Sequence, residues 1–402
     1  MSDEFPEYTE KAGACKECGN SPTDHTLTKI MSTIDVATSV ISYQLTKNSP
    51  TRGLHDFALR LSNVILPPAA AGLHALGAVT YAHDPEHAKS YRSRVIWEEA
   101  KRRGIEMEQI VVFGNRTDTY RVKIGRVWFY FESLPIPPKL EKISTQWVGD
   151  KVLLKRELEK HHIPAPRFVS ARTLPQALRF FKEVGSPVIV KPRIGTRGRH
   201  TTTSVRSEQD LKKAFESAKV LCEFVSVEEE LEGSVCRGTV VGEKLVGFFQ
   251  ADPAVIYGDG TSTLRELIEK TNDEREKRVA SIEMTDENIG YLKRFGYSLE
   301  SVPEDGARIP IGHRTGRLFG GKTRELLETV HPRLKEYLEK AAAVLEMQVV
   351  GFDLICKEPE QNPDTQKWGI IEANNLPFID LHYLPLYGKP SNPAAAIWDL
   401  WK

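Results

Sequence analysis

The sequences VVGFDLIC (residues 349–356) and WGIIEAN (residues 368–374) predict two buried strands, because both are short, apolar and rich in β-branched residues. The polar segment between them is rich in Pro and Asn, which is typical of a turn. If the strands form a hairpin, Asp353 and Glu372 are equidistant from its midpoint and lie side by side. Glu372 and Asn374 are two residues apart and therefore share one face.

Two carboxylates and one amide oxygen thus converge on one hairpin. Hard oxygen donors of this kind suit Mg²⁺ held together with nucleotide phosphates. The alternative is an ordinary hairpin with a solvated polar face, but both strands are too apolar for an exposed sheet. We therefore predict a metal site formed by Asp353, Glu372 and Asn374.

The composition limits the class of protein. The chain has 402 residues, with Lys+Arg and Asp+Glu both 55, so it carries no net charge. Such a balance argues against a nucleic-acid or anionic-membrane partner. No apolar run approaches the length of a membrane span, and the acidic N-terminus shows no signal-peptide pattern. With five cysteines, three on predicted strands, we expect a cytoplasmic protein without a disulfide framework.

Cys15 and Cys18 form a single CxxC pair near the N-terminus. A structural zinc ion needs four ligands, and His25 offers a third, but the neighbouring sequence offers no fourth. The pattern therefore favours two free thiols in a mobile N-terminal segment. A zinc site shared between two molecules is the alternative.

The composition and the apolar pattern along the chain predict three parts. Residues 1–26 are expected to be poorly ordered, and residues 27–140 to form a helical domain with a small sheet. After a Pro-rich boundary, residues 144–402 alternate strands and helices, with a lid subdomain at about residues 185–250.

Candidate phosphate ligands lie at the end of one predicted strand. Lys191 ends the strand PVIVKP, and a Gly- and Arg-rich loop with Gly195, Arg197 and Gly198 follows it. Glycines let backbone N–H groups approach an anion, and arginines add charge-assisted hydrogen bonds. The alternative is an exposed hairpin loop with solvated charges. Lys151 is a second candidate, although alone it is an ordinary helix lysine.

A nucleoside site is predicted from the next strand. Glu223 ends the apolar segment KVLCEF, where a carboxylate can accept the adenine amino proton and the backbone of Phe224 and Val225 can meet the ring edge. Glu230, seven residues later, can hold ribose hydroxyls. The alternative is that EEELE is a solvated acidic turn.

The segment GRLFGGKT at residues 316–323 matches the pattern of a phosphate-binding P-loop. A P-loop opens a doubly wound sheet and needs several strand–helix units after it. Too little chain follows this segment, and too short an apolar strand precedes it, so we reject this interpretation.

Taken in order, the motifs resemble those of the ATP-grasp superfamily, and especially the ATP-grasp module of cyanophycin synthetases and the glutathione-synthetase-like ligases. The resemblance covers residues 144–402. The motifs that carry it are DKVLLKRELEKHHIPAPR, GSPVIVKPRIGTRGRH, VIYGDGTSTLRELIEKTN, VHP, GFDL, IIEANN and LHYLPLYGKPSNPAAAI.

The resemblance implies an α+β fold in which two subdomains sandwich ATP, preceded here by a helical and mixed N-terminal domain. It implies that Lys151 and Lys191 contact phosphate and adenine-side groups, that Glu223 meets adenine and Glu230 the ribose. It also implies Mg²⁺ on Asp353, Glu372 and Asn374, with two ions expected and Mn²⁺ as a substitute.

The family's reaction is ATP-dependent carboxylate–amine ligation through an acyl phosphate, with amino acids or peptides as substrates. Arg237, Arg308 and Arg314 are the expected ligands of substrate or phosphate anions, against the alternative that they are surface arginines. Homodimers are common among these ligases. A phosphotransferase that makes no amide, and a nucleotide-binding module without catalysis, are the alternatives.

The sequence departs from the family pattern where substrates should lie. Ala251, beside Asp252, replaces a frequent arginine, and GHRTGRLFGGK replaces the usual Gly-Gly loop. The segment between Glu223 and Arg237 is longer than usual, so the ribose carboxylate could instead be Glu228, Glu229 or Glu232. The substrate therefore cannot be carried over from the family.

Overall fold

A computed structural model describes residues 15, 18, 23–47, 72–140, 147–185, 187–194 and 199–402. The helices in these ranges are α1 (His25–Lys47), α2 (Tyr91–Arg102), α3 (Lys151–Lys160), α4 (Leu174–Val184), α5 (Glu208–Leu221), α6 (Leu264–Glu274), α7 (Asp286–Arg294), α8 (Pro332–Leu345) and α9 (Pro393–Asp399). The strands are β1 (Val79–Ala82), β2 (Met107–Val112), β3 (Asn115–Ile124), β4 (Val127–Glu132), β5 (Phe168–Ala171), β6 (Val188–Pro192), β7 (Thr202–Val205), β8 (Val225–Glu229), β9 (Ser234–Val241), β10 (Lys244–Ala251), β11 (Pro253–Tyr257), β12 (Arg308–Thr315), β13 (Thr323–Glu325), β14 (Val349–Cys356) and β15 (Gly369–Asn374).

These strands form four antiparallel sheets in the described ranges. An N-terminal sheet has the order β1-β2-β3-β4, and a second has the order β5-β8-β6-β7. The third, in the order β13-β10-β9-β14-β15, contains the predicted hairpin, and β11-β12 form a separate two-stranded sheet. The residues predicted as a lid up to position 250 therefore divide between the second and third sheets.

The sequence encodes the starts of several helices through their capping residues. Thr173 and Gln176 form a reciprocal capping box at the start of α4, and Thr263 and Glu266 form another at α6. The side chain of Ser207 accepts a hydrogen bond from the backbone N–H of Asp210 at the start of α5. Each of these three helices therefore begins where the local sequence provides a capping side chain.

Packing places α8 and α3 against the five-stranded sheet around Leu154, Leu338 and Phe352. A second apolar core joins the N-terminal sheet and α2 to the C-terminal helix α9. There the indole N–H of Trp398 donates to the backbone carbonyl of Ile96 at 2.9 Å. Residues 88–136 and 376–401 thus share one apolar core, to which Val241 and Val349 of the third sheet also contribute.

One strand prediction was wrong in its position. The segment KVLCEF is not a strand, because α5 continues to Leu221 and β8 begins only at Val225. The acidic residues of EEELE, for which a solvated turn was the alternative, lie partly within β8, where Glu228 and Glu229 are buried. Propensity could not reveal this, because the burial of these carboxylates depends on lysines from other elements.

The structure also shows that residues 316–323 do not form a P-loop. A P-loop runs into a helix, whereas GRLFGGKT runs into the short strand β13. Lys322 of this motif is exposed. The rejection of a P-loop is therefore confirmed.

Among the described residues, no helix has the length and apolar character needed to cross a membrane.

Candidate active site

Three side chains form a row across the five-stranded sheet. Arg237 on β9 lies opposite Asp353 on β14, and Asp353 lies opposite Glu372 on β15. The guanidinium of Arg237 donates two hydrogen bonds to the Asp353 carboxylate, at 2.5 and 2.8 Å. The predicted pairing of Asp353 with Glu372 is confirmed. The position of Arg237 beside Asp353 is set by the pairing of β9 with β14.

The third predicted metal ligand lies one step along the hairpin. Asn374 lies opposite Gly351, and its amide nitrogen donates to a carboxylate oxygen of Asp353 at 3.2 Å. A side chain at Gly351 would meet Pro377 at 2.7 Å and Arg237 at 3.2 Å. The glycine therefore makes room for the arginine beside Asp353.

Lysines from two other elements face this row. The ammonium of Lys151, at the start of α3, lies 3.6 Å from the Glu372 carboxylate, which keeps 37% of its side chain exposed. Burial raises the pKa of Glu372, but the charges of Lys151, Lys191 and Arg237 outweigh it, so its pKa lies below the usual value. The site thus holds an ionised, accessible carboxylate among cations.

Lys191 is held in place by a residue whose role the sequence analysis did not predict. Its ammonium lies 2.9 Å from Glu228 of β8, and the ammonium of Lys155 on α3 lies 2.5 Å from the same carboxylate. Glu228 and Lys155 are fully buried. Glu228 therefore links β8, β6 and α3 and orients Lys191 toward the site.

The pKa of Glu228 predicts a pH dependence of stability. Burial raises this pKa, but the charges of Lys155 and Lys191 have the larger, opposite effect. The net result is a pKa of about 2, below the ordinary value of 4.5. A depressed pKa stabilises the folded state above the unfolded pKa, and this contribution is lost as the pH falls through the folded pKa. We expect the free energy of unfolding to fall between pH 4.5 and about 2. Urea unfolding at several pH values should show this loss. In Glu228→Gln, the unfolding free energy should depend less steeply on pH over the same range.

Asp150 anchors the start of α3 and so positions Lys151. Its carboxylate accepts the backbone N–H groups of Val152 at 2.9 Å and Leu153 at 3.2 Å. It also pairs with the guanidinium of Arg193, with N–O distances of 2.7 to 3.0 Å. No part of this pair was predicted. A strand-end arginine forty residues from a helix-capping aspartate gives no local signal.

The remaining predicted ATP ligands belong to the glycine-rich loop and the nucleoside site. Gly195, Arg197 and Gly198 lie outside the described residues. Glu223 instead pairs with Lys219 at 3.1 Å and Lys29 at 3.3 Å, at the end of α5.

The backbone of Phe224 and Val225, predicted to meet the adenine ring, forms contacts within the protein. The carbonyl of Phe224 accepts the N–H of Arg193 at 3.1 Å, and Val225 begins β8 and is fully buried. Glu230 accepts a hydrogen bond from Ser204 at 3.0 Å, while its second oxygen is buried without a partner among the described residues. Burial raises the pKa of Glu230. Its position beyond the end of β8 is compatible with a hydroxyl ligand.

Two of the three predicted anion-binding arginines lie on β12. Arg308 is exposed opposite Tyr257, and Arg314 pairs with Glu287 at 3.1 Å. Arg237 alone of the three is shown in the row with Asp353. Its Nη1 atom is buried without a hydrogen-bond partner in the described part of the chain.

A further acidic residue lies near Arg237. Asp380 follows β15 and interacts electrostatically with Arg237 and Arg92. One of its carboxylate oxygens is buried with no partner among the described residues, and burial raises its pKa. Asp380 lies in a short 3-10 helix, Ile379–Tyr383, and a single acid there gives no sequence signal, so this residue was missed.

The residues of the row fit a divalent cation with oxygen ligands. Asp353 and Glu372 are adjacent, Glu372 is open to solvent, and a half-turn of the Asn374 amide presents its oxygen. The buried Nη1 of Arg237 lacks a partner, so the site also offers a donor to an anion. A metal bound with phosphates matches both features.

Known proteins resemble this chain over part of its length. No family model matches the chain. Over 265 residues it is 28% identical to cyanophycin synthetase of Trichormus variabilis, covering 64% of this chain and 29% of that protein. Over 316 residues it is 26% identical to the glutathione biosynthesis bifunctional protein of Clostridium perfringens, covering 75% of this chain and 40% of that protein.

Among solved structures, a bifunctional glutathione synthetase from Pasteurella multocida superposes with a TM-score of 0.51. It is 22% identical and covers 77% of this chain and 44% of that one. The chain has the ATP-grasp fold. The predicted resemblance to cyanophycin synthetases and glutathione-synthetase-like ligases is confirmed. The ATP-grasp chain nevertheless spans about a third of the length of the cyanophycin synthetases that it matches.

Proposed function

We propose that this ATP-grasp protein is an ATP-dependent ligase that joins the carboxylate of an amino acid or peptide to an amine. The observation that carries the proposal is the row of Arg237, Asp353 and Glu372, faced by Lys151 and Lys191. Its ionised oxygen ligands and surrounding cations suit a nucleotide triphosphate and its metal. The relatives, a cyanophycin synthetase and a glutathione biosynthesis protein, point to the same class of ligase.

In this proposal Asp353, Glu372 and Asn374 hold Mg²⁺, with room for a second ion or for Mn²⁺. The bound metal neutralises charge on the phosphates. Lys151 and Lys191 bind phosphate oxygens as fixed charges, and Glu228 keeps Lys191 oriented. Glu230 accepts a ribose hydroxyl at its unpartnered oxygen.

The chemistry then needs positioning and charge stabilisation. The substrate carboxylate attacks the γ-phosphorus of ATP, the bond to ADP breaks, and an acyl phosphate forms. The amine attacks the acyl carbon, loses a proton, and inorganic phosphate departs, leaving an amide. Arg237 stabilises negative charge at the acyl group through its unpartnered Nη1. We assign no catalytic role to Arg308 or Arg314, because Arg308 is exposed and Arg314 pairs with Glu287.

Product analysis tests the proposal. Purified protein with Mg-ATP and a panel of amino acids and short peptides should release ADP and phosphate and yield a new amide mass. Release that requires both an acid and an amine supports the ligase. ADP release with a phosphorylated acceptor and no amide would identify a phosphotransferase instead. ATP binding without turnover over a wide panel would favour a nucleotide-binding module.

Asp380 provides a test of the amine subsite. We propose that its unpartnered oxygen accepts a hydrogen bond from the substrate ammonium group. Loss of a charge-assisted hydrogen bond costs about 1.5–3 kcal/mol, so Asp380→Asn should raise the amine KM about ten- to a hundredfold. The KM for ATP should stay unchanged. Equal effects on the amine and ATP would contradict this assignment.

We also propose that the protein acts in the cytoplasm. None of the five cysteines forms a disulfide bond, which suits the reducing cytoplasm. A homodimer, common among ligases of this kind, remains part of the proposal and is tested by the mass measured in solution.

A further inference from the structure

A cluster of four sulfur and nitrogen donors lies outside the row described above. Cys15, Cys18, His25 and His200 offer one ligand atom each, and these atoms lie within 4.8 Å of one another. Three come from the N-terminal segment, and His200 comes from the turn before β7. The sequence offered only three nearby candidates, and the fold brings the fourth from 182 residues away.

The spacing of these atoms matches a tetrahedral metal site. The sulfur of Cys18 lies 3.3 Å from Nε2 of His25 and 3.5 Å from Nε2 of His200. The sulfur of Cys15 lies 3.6 Å from the same nitrogen of His200. Zinc bonds of about 2.3 Å to sulfur and about 2.0–2.1 Å to nitrogen, at a tetrahedral angle, place S and N about 3.6 Å apart.

The ring of His200 is oriented for metal binding. Its Nδ1 lies 2.9 Å from the backbone carbonyl of Ser217 and 3.1 Å from the Ser217 hydroxyl, both on α5. A proton on Nδ1 donates to this carbonyl, which directs the lone pair of Nε2 toward the two sulfurs. Metal-binding histidines commonly make such a second hydrogen bond.

The surrounding fold holds the N-terminal ligands against α5 independently of any metal. His25 begins α1, and the hydroxyl of Ser32 on this helix donates to the carbonyl of Leu221 at 2.7 Å. Lys29 pairs with Glu223 at 3.3 Å. The CxxC pair is closed by a backbone hydrogen bond from Cys18 to Cys15 at 3.0 Å. The four ligands therefore converge because two helices dock.

We propose that Cys15, Cys18, His25 and His200 bind one structural Zn²⁺ ion within a single chain, which joins the N-terminal segment to the sheet that carries Lys191. Two thiolates and two imidazoles form a closed tetrahedral set without a position for substrate. This assignment replaces the prediction of free thiols and the alternative of a site shared between molecules. It does not rest on the ligase proposal.

Metal analysis tests the site. Protein purified from zinc-replete cells should contain about one zinc per chain by elemental mass spectrometry. Cys15→Ser and His200→Gln should each lose most of this zinc, whereas Cys222→Ala, a buried cysteine at the end of α5, should keep it. Co²⁺ exchanged into wild-type protein should give the absorption of a tetrahedral site with two thiolates.

Two results would overturn the proposal. One is wild-type protein that contains no zinc as purified and does not compete for added Zn²⁺ with a coloured chelator. The other is zinc that persists in both Cys15→Ser and His200→Gln, because the metal would then lie elsewhere. Circular dichroism of each variant shows that the fold is retained, and chelation of wild-type zinc should lower the Tm of the same intact chain. ADP release is not needed for any of these measurements.

Discussion

Replacing Glu372 with alanine is expected to lower ATP-dependent ADP release by about 10²–10³-fold while the protein remains folded. Glu372 is one of two carboxylates in the row, and the charges of Lys151, Lys191 and Arg237 keep it ionised. Its removal leaves the metal with one carboxylate and leaves Lys151 without its anionic neighbour. Because part of the side chain is exposed, little stability should be lost. Steady-state ADP release at saturating Mg-ATP measures the effect.

Matched substitutions separate metal binding from general damage. Glu372→Gln keeps an oxygen ligand but removes the charge, so its loss should be smaller and should shrink as Mg²⁺ is raised. Glu360→Ala, in the exposed turn between β14 and β15, should leave ADP release unchanged. A Glu372→Ala protein with activity within about threefold of wild type would refute the metal assignment.

Replacing Glu228 with alanine should lower the free energy of unfolding by about 3–5 kcal/mol. The carboxylate lies between the ammonium groups of Lys155 and Lys191, and its removal leaves two buried cations without an anion. Burial already lowers the pKa of Lys155 to about 7, despite the opposing charge of Glu228. Urea unfolding at neutral pH measures the loss.

The cause of this loss can be isolated with a second substitution. Lys155→Met in the Glu228→Ala background removes one stranded charge, so the double variant should be more stable than the single variant. The defect of Glu228→Ala should decrease as the pH rises toward about 7 and level off above it, because Glu228 raises the pKa of Lys155 and its removal lets Lys155 lose its proton at a lower pH than in the wild-type protein. Glu229→Ala, whose partner Lys367 is mostly exposed, should cost much less. Equal costs for the two alanine substitutions would contradict the buried-charge explanation.

The hairpin was predictable because its information is local. Alternating side chains and a polar turn place Asp353 beside Glu372 without reference to other elements. The helix starts at Thr173, Ser207 and Thr263 were predictable for the same reason, since a capping residue satisfies backbone groups within one turn.

The nucleoside ligands were harder to place because helix and strand compete for the same apolar run. The segment KVLCEF is apolar and β-branched, yet its first residues continue the amphipathic face of α5. The shift of the strand to Val225–Glu229 moved Glu223 to a lysine pair and moved Glu228 into the core. Only packing against β6 and α3 decides whether the strand begins in KVLCEF or at Val225.

The sequence by itself determined the capped helices and the pairing of Asp353 with Glu372, because each depends on residues within one element or hairpin. The ordered motifs of residues 144–402 implied the ATP-grasp fold by resemblance. The tertiary structure decided the rest of the row and its supports: Arg237 beside Asp353, Glu228 between Lys155 and Lys191, and His200 beside the CxxC pair. These contacts join residues far apart in the chain. Charge and metal-ligand partners at such separations are set by how elements dock, and no local pattern encodes that.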